Sequence, residues 1–437
     1  MSIKKPVNEN YCATVTEIKT LVPLENCNNV VGAIIFGNQV IVGKDTNIGD
    51  KGIFFPVECE LSKEFLSNNN LYRHSELNSD KTKKGYFEDS GRVKCIKFRN
   101  HKSEGIFLPL ESLSFTNHKE ELTENTSFDE ISGIKICKKY VIRWQNTSGT
   151  SNKTGKVYKK KKSKIIDEQF RFHIQTAQLG KNMWKIKPTS FIQISRKIHG
   201  SSFVSSNILC KRKLNIFEWF LHKLGVRIET TEYSDVYSSR KVIKNADMDD
   251  KACGFYNEDI WGEVHKKLKD ITPQGITLYG EVFGYLKSGG MIQKNYSYGC
   301  KEGENKFLIY RMTITNTKGQ VFEINSMDVK KWAIANGLNP VDEYYYGEAS
   351  KLFDLKLPTN DDELKTWQEQ FLEKLKEKYL EKKCWDCVED VWDEGIVVRV
   401  ENGMNDLEVL KLKSFNFLEA ETKSLDKGDI NIEDNQE

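Results

Sequence analysis

Over its first 115 residues the chain alternates short apolar runs with polar punctuation. "ATVTEIKTLV", "VVGAIIFGNQVIVG", "GIFFPVE" and "GRVKCIKF" are rich in β-branched residues and read as strands. Gly37-Asn38, inside "IIFGNQVIV", is a favourable hairpin turn. A short helix is expected at "LSKEFLSNNN". Short strands with frequent turns predict a small β-barrel or sandwich over residues 1–150.

From Phe170 onward the pattern changes. Strand-like runs ("GITLYGEVFGYL", "KFLIYRMTITN", "EGIVVRVE", "LEVLKLKSF") alternate with helical stretches. "LNIFEWFLHKLG" is one helix, and "DDELKTWQEQFLEKLKEKYLEKK" is the clearest. In the latter Leu364, Trp367, Phe371, Leu375 and Tyr379 share one face at helical spacing, and Asn360 is placed to cap its start. No fixed-period repeat is evident. The fold class expected is α+β, built on antiparallel sheets.

Composition adds bounds. A length of 437 residues suggests two domains, and 38% hydrophobic residues suffice for a sizeable core. Lys+Arg 66 against Asp+Glu 63 excludes a histone-like polycation, but leaves room for a local basic groove. No run of about 18 apolar residues predicts a membrane span. The start "MSIKKPVNEN" lacks the apolar core of a secretory signal, so the expected location is the cytoplasm, or a host's cytoplasm for a viral chain. The ten cysteines are then expected as reduced thiols. "CWDC", Cys384 to Cys387, is a lone CxxC without the second pair or histidines a zinc site needs.

Lys153 to Lys164 holds seven lysines and no acid. It reads as a solvated linker at a domain boundary, and secondarily as a phosphate-backbone contact. "GTSNKTGKV" is a poor phosphate loop, because Val157 stands where a metal-holding Ser or Thr is required. The domains expected are 1–150, a linker at 151–165, a main domain at 166–420 and an acidic tail at 421–437.

Five segments end an apolar run with an ionisable residue: "KIHGSS" (Lys197), "YSSRKVI" (Arg240), "LYGEVFGY" (Glu281), "DEGIVVR" (Glu394) and "LKLKS" (Lys411, Lys413). On a strand Lys411 and Lys413 face one way while Leu410 and Leu412 face the core. The two lysines repel unless an anion joins them, and a bound phosphate is the expected anion. A mid-strand glutamate such as Glu281 is costly unless it meets a cation, metal or sugar hydroxyl.

The order Lys197-x-His199-Gly200, Arg240, Glu281-x-x-Gly284, Tyr310, Glu394-Gly395, Lys411-x-Lys413 resembles the covalent nucleotidyltransferase superfamily. That superfamily comprises ATP-dependent DNA ligases, RNA ligases and capping guanylyltransferases. Histidine at 199 resembles the RNA ligases, where the other branches usually carry aspartate. Only 24 residues follow Lys413, too few for a C-terminal OB domain. With a β domain in front, the chain resembles RNA ligases having an N-terminal OB domain. "FRFHIQTAQL" and "MIQKNYSYG" look like the same clade.

The resemblance implies an ATP-grasp-like nucleotidyltransferase domain of antiparallel sheets flanked by helices, preceded by an OB-like barrel. It implies ATP and Mg²⁺ or Mn²⁺ as cofactors, and RNA with 3′-OH and 5′-phosphate ends as partner, acted on by a monomer without membrane. Lys197 would attack the α-phosphorus of ATP to carry AMP. Lys411, Lys413 and Arg240 would hold phosphate, Glu394 would organise the metal, Glu281 would sit near the ribose or the metal, and Tyr310 would stack on adenine. His173 and Gln178 would line the adenine pocket or pack beneath it. Gly200 would let the backbone turn after the nucleophile, and His199 is expected as a turn residue. Arg196 departs from the acidic residue that many RNA ligases have before the nucleophile. A DNA ligase, a capping-type enzyme and a non-catalytic binding relative remain alternatives.

Overall fold

The computed structural model describes residues 3–119, 121–143, 164–245, 256, 258–403 and 407–430. The basic run before Lys164, the stretch Gly149 to Val157 and positions 431–437 lie outside the described residues.

The N-terminal part contains a four-stranded antiparallel sheet ordered Ser127–Phe128, Ala13–Glu17, Lys51–Phe55, Ile106–Pro109. Alternation along these strands buries Val15, Ile53 and Phe55 with Phe65, Leu113 and Phe128 in one core. The expected helix is Lys63–Asn68, capped by the Ser62 hydroxyl, which accepts from the Phe65 amide at 3.1 Å. The expected hairpin also forms, Val30–Ile35 against Asn38–Gly43, but its turn lies one residue earlier than Gly37-Asn38. Phe36 and Gly37 are the central pair, at φ 50° and 75°. A two-residue hairpin turn of this hand needs positive φ at both positions.

The second part is built on two sheets. One is five-stranded, ordered Ala177–Gln178, Leu407–Lys413, Gly395–Glu401, Phe191–Arg196, Glu343–Glu348. The other follows Thr231–Ser238, Ser201–Lys211, Ile276–Gly284, Asn305–Thr315, Val321–Glu323. Pairing is antiparallel except for two short segments, Ala177–Gln178 beside Leu407–Lys413 and Asn339–Pro340 beside Asn305–Thr315. The expected antiparallel sheets therefore form, with these two short parallel segments added at their margins.

The amphipathic helix Asp361–Tyr379 forms as its pattern requires. Asn360 accepts from the Glu363 amide at 2.9 Å, and Trp367, Phe371, Leu375 and Tyr379 are buried. They pack on Ile192, Ile194, Val398, Val400, Leu410 and Leu412, the reverse side of the five-stranded sheet. Burial of each such side chain contributes roughly 1.5–3 kcal/mol. This core holds the sheet from behind and leaves its other face to the site.

A last helix, Phe415–Asp426, crosses position 420, where the tail was expected to begin. Ser414 caps it. It packs back on the N-terminal part: Phe415 meets Val57 and Cys95, and the Cys95 amide donates to Thr422 Oγ1. The buried Arg92 guanidinium joins Glu58 at 2.6 Å and Asp426 at 3.2 Å. The expectation of uniformly reduced thiols is not met, because Cys384 and Cys387 are joined as a disulfide.

Candidate active site

Strand register assembles the centre. Phe191–Arg196 lies against Gly395–Glu401 with Arg196 opposite Ile396, and Gly395 in turn lies opposite Lys413. Three residues distant in sequence, Lys197, Glu394 and Lys413, thus emerge side by side. Gly395 has φ 137°, and a Cβ there would stand 3.0 Å from the Lys413 Cα. No other residue type allows this approach without strain.

Glu394 is 2% exposed and bridges two lysines, with Oε2 2.7 Å from Lys197 Nζ and Oε1 2.9 Å from Lys413 Nζ. Burial alone would raise its carboxyl pKa. Lys197 and Lys413 outweigh that and hold it well below the usual carboxylate range. Burial would likewise disfavour the Lys413 ammonium, but Glu394 and Glu421 raise its pKa. Glu394 thus neutralises Lys413, while the repulsion expected between Lys411 and Lys413 persists at Lys411. The faces are as expected: Leu410 and Leu412 enter the core and Lys411 enters the cleft. Lys411 is brought down to about 7 by its burial, then by Lys413, Lys197, Lys139 and Arg240.

The facing wall comes from the second sheet. Glu281 is buried and accepts from Ser202 Oγ at 3.2 Å. Gly200 has no positive φ; what excludes a side chain is proximity, since a Cβ would lie 2.5 Å from Val282 O and 2.8 Å from Glu281 Cγ. The backbone bends at Gly200 as expected, and the close approach adds a second reason for glycine. Tyr310 donates to His173 Nδ1 at 2.9 Å, while His173 Nε2 donates to Phe203 O at 3.1 Å. This tautomer is the neutral one that satisfies both partners.

One cleft of about 610 Å³ is lined by Lys197, Arg240, Glu281, Tyr310, His173, Glu394, Lys411 and Lys413. Gly200 supports it from behind. Gln178 pairs with Lys411 through the backbone and is not a lining residue. His199 is more than a turn residue: its Nδ1 lies 3.8 Å from Glu394 Oε2, and its ring meets Tyr296 and Phe417 edge-on. Arg196 faces away. Its guanidinium is buried against Asp386 at 2.8 Å and Asp393 at 2.6 Å.

Sequence reasoning missed Tyr11, Lys139, Lys241 and Ser202, which also line the cleft. Lys241 adjoins Arg240 and was within reach of the same argument. Tyr11 and Lys139 come from the N-terminal part, and no local pattern marks them. The Tyr11 ring stands 4.9 Å from Lys139 Nζ and 5.8 Å from Lys411 Nζ.

No protein-family profile matches the chain, and no curated protein matches it in sequence. Solved structures do match. A Naegleria gruberi RNA ligase variant with AMP and Mn superposes with a TM-score of 0.56 at 14% identity, covering 94% of this chain and 99% of that one. The chain has the fold of that RNA ligase. A second variant with ATP and Mn gives 0.56 at 13% identity, over 94% and 99% of the two chains. The same RNA ligase with PPi gives 0.54 at 13% identity, over 95% and 100%. The fold therefore extends over nearly the whole of both chains.

Proposed function

We propose that this chain is an ATP-dependent RNA ligase that joins 3′-OH and 5′-phosphate RNA ends through AMP carried on Lys197. The observation that carries this reading is the placement of Lys197 beside Glu394 and Lys413, with Lys411 lining the same cleft. The Naegleria gruberi RNA ligase structures with AMP, ATP, PPi and Mn support it.

In the first step the Lys197 Nζ lone pair attacks the α-phosphorus of ATP. A P–N bond forms, the bond to the β-phosphate oxygen breaks, and pyrophosphate departs. Lys197 reacts as the neutral amine, having first lost a proton to solvent; Glu394, held ionised, orients it, and the proton shed as the P–N bond forms leaves with pyrophosphate. Lys411, Lys413 and Arg240 stabilise the charge that gathers on the phosphate oxygens. Tyr310, fixed by His173, forms the wall for the base. AMP then passes to an RNA 5′-phosphate, and a 3′-OH attacks that activated end and expels AMP.

The donor set fits Mg²⁺ or Mn²⁺ of a particular kind. Both Glu394 oxygens already meet lysines, and among the described residues neither Glu394 nor Glu281 belongs to a cluster of three metal-ligating side chains. Such a site suits an ion held by ATP phosphate oxygens and water, with Glu394 and Glu281 as outer partners. When bound, the ion would neutralise charge on the α-phosphate. The N-terminal part acts in this reading as the OB-like domain, and the protein works as a monomer in the cytoplasm.

The test incubates the protein with α-labelled ATP or GTP and Mg²⁺ and then denatures it. Acid-labile label from ATP on the wild type, absent from Lys197→Ala, is expected. Label from GTP alone moves the reading to capping, and no label in either case removes the enzyme. Sealing of nicks with RNA but not DNA on the 3′-OH side is expected. Equal sealing of the two removes the RNA preference.

A further inference from the structure

Behind the cleft lies a cluster that the proposed reaction does not use. The Arg196 guanidinium donates to both Asp386 oxygens at 2.8 and 2.9 Å, to Asp393 Oδ1 at 2.6 Å and to Cys384 Sγ at 3.4 Å. Tyr298 and Trp385 stack over it at 5.2 and 5.4 Å. Arg196 directly precedes Lys197, and Asp393 directly precedes Glu394. Any movement of this cluster therefore passes to both site residues through one peptide unit.

Asp386 sits inside the small ring that the Cys384–Cys387 bond closes. The ring fixes the direction of its carboxylate. The segment is otherwise tied by Cys384 N to Val391 O, Asp393 N to Lys382 O and Gly299 N to Asp386 O. Cys384 is buried, while Cys387 is half-buried next to the exposed Trp385, so a small reagent reaches the pair from solvent. A guanidinium beside a sulfur favours the reactive thiolate.

We infer that Cys384 and Cys387 form a reversible oxidation site whose state sets the order of the strand ends carrying Lys197 and Glu394. The co-reactant is a small disulfide such as oxidised glutathione. One thiolate attacks a glutathione sulfur and releases one reduced glutathione. The second thiol then attacks the mixed disulfide and releases the other. The protein loses two electrons and two protons, and glutathione disulfide gains them. A dithiol reverses the change. The donors of Cys384, Asp386 and Cys387 also lie within 4.8 Å of one another, as a metal site requires. Arg196 already occupies both Asp386 oxygens, and a cation there would stand against its charge, so oxidation is favoured over metal binding.

The full-length protein is equilibrated with reduced or oxidised glutathione, and the disulfide is followed by the two-hydrogen mass change of its peptide. Amide hydrogen exchange is read at residues 196–198 and 394–395. Reduction is expected to speed exchange there about tenfold, since it returns the loop entropy that the bond removes. Cys387→Ser should exchange fast in both buffers, and Asp386→Asn should do so even when oxidised. Equal exchange in the two wild-type states overturns the inference. So does a pair that stays reduced in excess oxidised glutathione, or zinc retained by the reduced protein. Slower AMP labelling of the reduced protein is also expected, and this part rests on the ligase reading. Absence of label in both states sinks that reading, while hydrogen exchange still decides this one.

Discussion

Lys411 is the residue whose chemistry most constrains the cleft. It is buried among like charges and brought down to about 7, against 10.5 for a free lysine. An ammonium lost this way returns when an anion arrives. Binding of pyrophosphate or ATP above pH 7 should therefore be accompanied by proton uptake, close to one proton near pH 8–9. Calorimetry in buffers of different ionisation enthalpy measures it, and Lys411→Met should abolish it. The sign for stability follows from the same shift. Between pH 7 and 10.5 the unfolded chain binds the proton and the folded chain does not, so this residue's contribution improves as pH rises through that window. Glu394 is the converse case. Glu394→Gln leaves Lys197 and Lys413 without their shared carboxylate, and should cost about 3 kcal/mol in urea unfolding as well as the AMP label. The phase of Lys411 and Lys413 was legible, because strand alternation is a local rule. The place of Arg196 was not, because its partners Asp386 and Asp393 lie about 190 residues away in sequence.

Elements were legible where their periodicity was strong. The helix Asp361–Tyr379 has its cap and buried face where the sequence puts them, since both depend on spacing within one turn or two. Phe371→Ala should lower unfolding stability by about 4 kcal/mol, yet leave AMP labelling per folded molecule unchanged, because the helix lies behind the sheet. The hairpin turn was misplaced by one residue. Gly37 is compatible with either register, and only the pairing of Ile35 with Asn38 selects the one with Phe36 at positive φ. Gly395 makes the complementary point. Its sequence context marks a motif, but the reason for glycine, an approach to the Lys413 strand at φ 137°, is a fact of tertiary structure. Gly395→Ala should displace Glu394, and its loss of labelling should exceed any loss of folded protein measured on the same sample by circular dichroism.

At the scale of the molecule, the cleft belongs to both parts of the chain. The short strand Cys137–Lys139 pairs with Cys59–Leu61 in the N-terminal part and brings Lys139 over the Tyr11 ring, which also faces Lys411. The helix Phe415–Asp426 holds this arrangement through Arg92, Glu58 and Asp426. The sequence pattern marked two domains but carried no sign that they share one site, since Tyr11 and Lys139 obey no motif near the other cleft residues. That sharing bears on which step the N-terminal part serves. Lys139 is close enough to Lys411 to lower its pKa, so in the proposed reaction its charge would face the nucleotide's phosphates. A charged hydrogen bond is worth about 1.5–3 kcal/mol, so Lys139→Ala should slow AMP transfer from ATP to Lys197 by about tenfold or more. RNA already bearing AMP on its 5′-phosphate bypasses that step. Its sealing by Lys139→Ala should match the wild type if Lys139 acts on the departing pyrophosphate. An equal loss in both assays would instead make Lys139 a grip on the RNA backbone, and would move the N-terminal part from nucleotide chemistry to substrate binding.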